Sequence, residues 1–502
     1  MRLARIEAAG NTQSRSRRNP LRFVAQAFAP RSVRAASRFA FAAAVLTFVA
    51  GCGNNYRPVV SAINPVGPAA QPEKFAVVIS APSPTVPGLV TFVDFSGDTV
   101  LITANIGVNP YYLVLNSVGT IGYTLNGDGT LTNFGISTAL LSSQILQTTL
   151  LNSNGVLPAS IFPQGTFTYV TQPNNNPGTA FTTPPLGRNS IAEFTTTSSA
   201  LSLQQELAIN PAFSPIYVAG TPAASRSFAI SQAVNGGPGQ VATIENTSNV
   251  TLDPNPIPVG SGPVYGVETA DARRVFIMNQ TDGTVSVINA QTNALDIVPA
   301  GATNPIPVGT SPVWADFAPT LNELVVANAG DGVHPGSVSI VNIPLCTTTT
   351  QVTNPNCDPN NPVDAVGFGT VIATIPVGVN PRMVGVLQDG SQAFVVNGGN
   401  PTQPCGPAVG TQPANCSVSV VNLTNNTVTS TIPLVTTAVT SATQVNNGHP
   451  NYIAVTTGTP TGKVYVTSPE SKFMTVIRTD TDTIDTTIPL QGFGVSVRVT
   501  AP

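Results

Sequence analysis

The chain has 502 residues, of which 43 are glycine and 46 proline, while only 9% are charged. So many helix breakers exclude a mainly helical protein, and 41% hydrophobic residues argue against wholesale disorder. The formal charge of −3 is uneven: residues 1–51 carry nine arginines and one acid, Glu7, leaving eleven basic and twenty-two acidic residues beyond them. That balance argues against a nucleic-acid partner, because phosphate binding needs clustered cations.

The N-terminal segment reads as an address. A basic stretch runs from Arg17 and Arg18 through Arg22, Arg31, Arg34 and Arg38, and Phe39–Gly51 follows as an apolar run of 13 residues. A membrane span needs about 20 residues, so basic region, short apolar region and small terminal residues fit an export signal over 1–51. Val49-Ala50-Gly51-Cys52 resembles a bacterial lipobox. That resemblance implies lipid on Cys52, a mature chain beginning there, and a place in the cell envelope, with the outer membrane expected because no acidic retention signal follows. Ser16-Arg17-Arg18-Asn19-Pro20-Leu21-Arg22 is more distantly similar to a twin-arginine signal. A Pro-rich linker is expected over 52–74.

From residue 75 onward, short β-like runs alternate with turn clusters. One pattern recurs: a four-residue strand core ending in a small polar residue. It begins at Val77, Tyr123, Tyr169, Phe228, Phe276, Val325, Phe394 and Tyr465, with spacings of 46, 46, 59, 48, 49, 69 and 71. Periods of that size mark solenoids, propellers or arrays. The clearest unit lies between Ile257-Pro258-Val259-Gly260 and Ile306-Pro307-Val308-Gly309. A Gly262-Pro263 corner leads into strand A at Val264–Val267. Strand B follows at Arg274–Asn279. Thr281-Asp282-Gly283 then turns into strand C at Thr284–Asn289, since Asp and Gly tolerate positive φ. A fourth strand leads to the next Ile-Pro-Val-Gly. Four antiparallel strands per repeat make a propeller blade.

Ile375-Pro376-Val377-Gly378-Val379-Asn380-Pro381, Gln388-Asp389-Gly390 and Ser417-Val418-Ser419-Val420-Val421-Asn422 carry a resemblance to the YVTN family of β-propeller repeats. The resemblance spans about 255–490. Over 75–250 only the strand pattern persists. The expected fold is therefore an all-β propeller of four-stranded blades over 75–502. Eight blades are expected, or seven if 111–211 fails to make two. An open ring would expose an unpaired edge. Val495–Val499 reads as a lone strand A and residues 75–105 as a blade lacking one, so the two are expected to pair. Small residues on strand A (Gly266, Ala315, Gly385, Ala454) suit the taper toward the axis.

Four cysteines remain after Cys52, as Cys346 with Cys357 and Cys405 with Cys416. Each pair encloses ten residues rich in Thr, Asn, Pro and Gly, which reads as two local disulfides, each worth roughly 2–3 kcal/mol on the chain-entropy account. A four-thiolate zinc site is the alternative, but the usual C-x-x-C spacing is absent. The Cys405–Cys416 insertion belongs to a B–C hairpin, and the Cys346–Cys357 insertion to a C–D connection, so they are expected on opposite faces.

The only histidines, His334 and His449, map to the face that carries B–C turns and D–A corners, as do Asp282, Asp331 and Glu470. A metal or acid–base site could be assembled there. Against this, Asp282 and Asp331 sit in Asp-Gly turns that already use them. Trp314, the only tryptophan, falls on a strand A. It is either an inter-blade packing residue or a stacking platform at the channel mouth. No H-E-x-x-H, G-x-S-x-G, P-loop or C-x-x-C-H is present. The main reading is a non-enzymatic, monomeric, lipid-anchored envelope module without cofactor that binds a protein or polysaccharide. The competing readings are a lactonase-like envelope hydrolase with an axial site and a factor in outer-membrane protein assembly.

Overall fold

The computed structural model describes residues 75–137, 147–150, 157–173, 189–197, 200–222, 224–247, 250–297, 301–344, 367–406, 414–435, 448–456 and 462–500. Cys52, Cys346 and Cys357 lie outside the described residues. Among those described, every strand belongs to one of eight antiparallel sheets. We number these as blades in chain order and letter the strands A to D from the axis outward.

Blade 5 shows the unit. Its strands are Pro263–Glu268, Arg274–Asn279, Thr284–Asn289, and an outer strand split into Ala294–Leu295 and Ile306–Pro307. Strands B and C fall where the sequence places them. The Ile-Pro-Val-Gly string, expected to follow the fourth strand, is instead part of it: Ile257–Ser261 pairs with strand C of blade 4, Pro238–Glu245. Proline is tolerated there because the outer strand is an edge, where a missing N–H leaves no ladder bond unmade. The region 111–211 makes two full blades, 2 and 3, which settles the count at eight.

All eight recurrent cores occupy strand B, the second from the axis. Strand B is covered on both faces by neighbouring blades, so it reads as an unbroken apolar run; Arg274–Asn279 and Glu323–Asn328 are buried at every position. Strand D alternates between exposed and partly sheltered residues, as in Thr427–Pro433. The core is accordingly divided among the seams between blades. Phe394, Val396, Ile453 and Val466 pack in one cluster between blades 7 and 8, and Ala76, Val78, Tyr465 and Val497 in another between blades 8 and 1.

The small polar residue ending strand B has a structural reason. Asn126, Asn279, Asn328 and Asn397 are fully buried. Each donates its carboxamide to two hydroxyls of strand C: Asn279 to Thr284 and Ser286, Asn328 to Ser337 and Ser339, Asn397 to Ser417 and Ser419, Asn126 to Thr130 and Thr132. The glycine of Ile-Pro-Val-Gly lies against this amide: a Cβ on Gly309 would stand 2.6 Å from Asn328 Nδ2. Asparagine, hydroxyls and glycine recur together because they form one close contact between strands B and C of a blade and the outer segment of the blade before it.

The first and last described strands complete blade 1. Phe493–Val499 pairs antiparallel with Phe75–Ala81, from Ala76 opposite Val499 to Ala81 opposite Phe493. Across the same seam Lys463 Nζ, buried on blade 8, donates to Phe95 O at 2.5 Å and to Asp98 Oδ1 at 2.9 Å. The ring therefore closes with a strand, an apolar seam and a sheltered ion pair.

Candidate functional site at the axis

Strand A is the innermost strand, and its start is built alike in several blades. A residue with positive φ turns the D–A corner (Asn109, Gly262, Ser311 and Asn380), and a proline follows it. One residue later the pairing slips by a bulge, as after Pro110, Pro215, Pro263, Pro312 and Pro381. The bulge re-aims the next side chain. That side chain is Tyr112, Tyr217, Tyr265, Trp314 and Met383 in blades 2, 4, 5, 6 and 7, each opposite the third residue of its strand-B core. Tyr452 in blade 8 and Ser496 in blade 1 hold the same register. This register position is aromatic in five of the eight blades and forms a partial aromatic belt on the innermost strands.

The belt is continuous across blades 4 to 6. Tyr217 and Tyr265 ring centroids are 4.9 Å apart, and Tyr265 stacks on Trp314 at 3.9 Å with 20° between planes. Tyr112, Tyr217 and Tyr265 lie close enough to perturb one another's hydroxyls. Burial raises all three phenols well above their ordinary range, and neighbouring tyrosines add to this for Tyr112 and Tyr217; they remain neutral at any physiological pH. Two charged groups sit two residues deeper, at equivalent positions in blades 6 and 1 (Asp316 opposite Val325, Arg498 opposite Val77). Arg498 lies over the Tyr452 ring at 5.1 Å and lowers the pKa of all three phenols. Asp316 accepts the N–H of Phe317 and of Val386, both at 2.9 Å. Burial pushes its carboxyl up to about 6, against the pull of those two donors.

The residues singled out in sequence fall elsewhere, apart from Trp314. His334 is 77% exposed, and its Nδ1 meets Asp331 Oδ2 at 2.6 Å. Asp331 also accepts the N–H of Val333 and His334, and these donors hold its carboxyl far below the usual range. Asp282 accepts the N–H of Ser261 at 2.6 Å, tying its B–C turn to the preceding corner. His449 lies between blades 7 and 8, with Nδ1 at 2.8 Å from Glu470 and Nε2 at 3.0 Å from Gln403 O. Cys405 and Cys416 are joined in a disulfide beside it. These two cysteines and His449 are the one group of three or more His, Cys, Asp or Glu donors gathered within metal-binding reach among the described residues. The sulfurs are bonded to each other and both ring nitrogens are engaged, so the cluster anchors the inserted hairpin to blade 8. Among the described residues no hydrogen bond or ion pair joins it to the His334–Asp331 pair.

Glu268, at the outlet of strand A in blade 5, is a buried carboxyl at 6% exposure. Burial pushes it up to about 7, with Thr221 pulling it back and Asp271 raising it. Its folded pKa lies above the ordinary 4.5, so the native state holds this proton more tightly than the unfolded chain does. The stability it contributes is full at low pH and declines as pH rises through about 7. Glu268→Gln is expected to raise the urea midpoint at pH 8 and to leave it nearly unchanged at pH 5.

No protein-family model matches the chain, and no curated protein matches it. Solved structures do. Dihydro-heme d1 dehydrogenase NirN, in complex with DHE, aligns at a TM-score of 0.53 and 11% identity, covering 84% of this chain and 74% of that one. Citrobacter koseri AztD aligns at 0.49 and 12%, covering 85% and 97%. A putative 6-phosphogluconolactonase from Bacteroides fragilis aligns at 0.49 and 12%, covering 86% and 99%. At such identities a likeness speaks to fold alone. Together with the strand order and the closing C-terminal strand, the NirN alignment makes this chain an eight-bladed β-propeller.

Proposed function

We propose that this chain is an exported propeller of the YVTN repeat type, held at the cell envelope by lipid on Cys52, that binds a carbohydrate in its axial channel. The aromatic belt carries this reading. A group of aromatic side chains, most of them half-buried and four of them with hydroxyls, suits the alternating apolar and hydroxylated surface of a sugar. A protein partner would more naturally use a broad interface with buried anchors. Asp316 favours a second reading, an axial hydrolase of the lactonase type. Its carboxyl at about 6 lies in the range of an acid–base group. Both its oxygens, however, accept backbone N–H groups.

Trp314 is the only tryptophan in the chain, so its fluorescence reports on the axis alone. A soluble envelope oligosaccharide is expected to shift that emission saturably, and Trp314→Ala is expected to reduce retention of the chain on the same immobilised glycan by at least about tenfold. Retention unchanged by Trp314→Ala would overturn the axial reading. For the anchor, Cys52→Ala is expected to abolish incorporation of radiolabelled palmitate. Labelling that persists would contradict it.

A further inference from the structure

Arg498 is the group at the axis that the fold does not use up. Its Nη1 donates to the adjoining Val497 O at 3.0 Å and its plane lies over Tyr452. No carboxylate pairs with it among the described residues, and Nε and Nη2 have no partner. Arg226 and Arg274 contrast with it: Arg226 is paired with Glu245, and Arg274 is fully buried on Asp296. Arg498 is half-buried and lies near the neutral phenols of Tyr112, Tyr217 and Tyr265. Asp316, the one carboxyl at the same depth, is turned to backbone donors of its own and the next blade. A guanidinium presents a planar fork that matches a carboxylate with two parallel hydrogen bonds. The surrounding tyrosines lower the local polarity, which strengthens such a pair when the ligand displaces water.

Resting on the axial reading above, we infer that the channel is selective for an acidic sugar, its carboxylate held by Arg498 and its ring against Trp314 and Tyr452. The neutral tyrosines Tyr112, Tyr217 and Tyr265 then serve sugar hydroxyls without repelling the acid.

Tetragalacturonate and its methyl ester, titrated into the full chain and followed by Trp314 emission, separate charge from shape. The acid is expected to bind at least about tenfold more tightly than the ester, the range of a charge-assisted hydrogen bond. Arg498→Gln is expected to bring the two ligands to equal affinity, and Arg498→Lys to restore only part of the preference. Circular dichroism and the melting temperature verify that each variant is folded. Should neither fold, the preference of the unaltered chain for acid over ester, together with its decline as salt rises, decides the matter. Equal binding of acid and ester by the unaltered chain overturns the selectivity and leaves the axial glycan reading standing. An identical response to acetate at the same carboxylate concentration overturns the sugar assignment. No response to either oligosaccharide overturns the acidic-sugar inference, and if neutral envelope glycans also fail, the axial reading fails with it.

Discussion

Deletion of residues 493–502 is expected to abolish cooperative folding. The deletion removes the innermost strand of blade 1, so the backbone of Phe75–Ala81 loses all six registered pairs on that side. It also uncovers the seam where Val497 packs with Ala76, Val78, Tyr465 and Met474. An open edge beside an exposed apolar seam is a template for association with other chains. The expected result is insoluble protein, or soluble protein without a sharp thermal transition, where the full chain shows one. A peptide spanning 490–502 added during refolding is expected to restore part of the transition, since it can supply the missing strand. A truncated chain that melts as sharply as the full one would contradict strand closure.

Asp296→Ala is expected to be the most damaging single substitution. Arg274 is fully buried, and its Nε meets Asp296 Oδ2 at 2.5 Å. Asn289 reaches the other oxygen of Asp296 at 3.4 Å, and the guanidinium lies 4.5 Å from the Phe368 ring centre. Nη1 and Nη2 already lack hydrogen-bond partners. Removing the carboxylate leaves a positive charge with only an aromatic face in a dry seam, which costs about 3–5 kcal/mol. Replacing the pair together, Arg274→Met with Asp296→Leu, is expected to recover most of that loss, because two apolar side chains carry no desolvation penalty. Urea denaturation of the single and double variants measures both. A single variant within about 1 kcal/mol of the parent would contradict this account of the pair.

The ring was legible because its signals are local. The strand-B cores are apolar on both faces and end in Asn or another small polar residue, so their spacing survives insertions of different length. Asp282-Gly283 and Gly262-Pro263 mark turns by conformation alone, and strands B and C of blade 5 fell where they were expected. Ile-Pro-Val-Gly was misplaced relative to strand D because proline usually interrupts strands, whereas an outer edge accepts it. The Cys405–Cys416 bridge was also local, spanning 11 positions.

The axial belt was not legible, although its signal was present. Pro110-x-Tyr112, Pro215-x-Tyr217, Pro263-x-Tyr265, Pro312-x-Trp314 and Pro450-x-Tyr452 repeat one spacing. The meaning of that spacing depends on the bulge after the proline, which pairing geometry alone displays. Arg498 gave no sign either, since its neighbours Tyr452 and Tyr112 belong to blades on either side of the closure. The histidines drew attention through rarity. Rarity did not reveal that His449 spends both ring nitrogens on the inserted hairpin and Glu470.

Backbone hydrogen exchange across the closing seam tests the ring most directly. Amides of 493–499 and of 75–81 are expected to exchange slowly and with closely matched protection, since each strand shields the other and both open only when the ring does. Rapid exchange throughout 493–499, in a chain whose 75–81 strand stays protected, would contradict a propeller sealed by its own C-terminus.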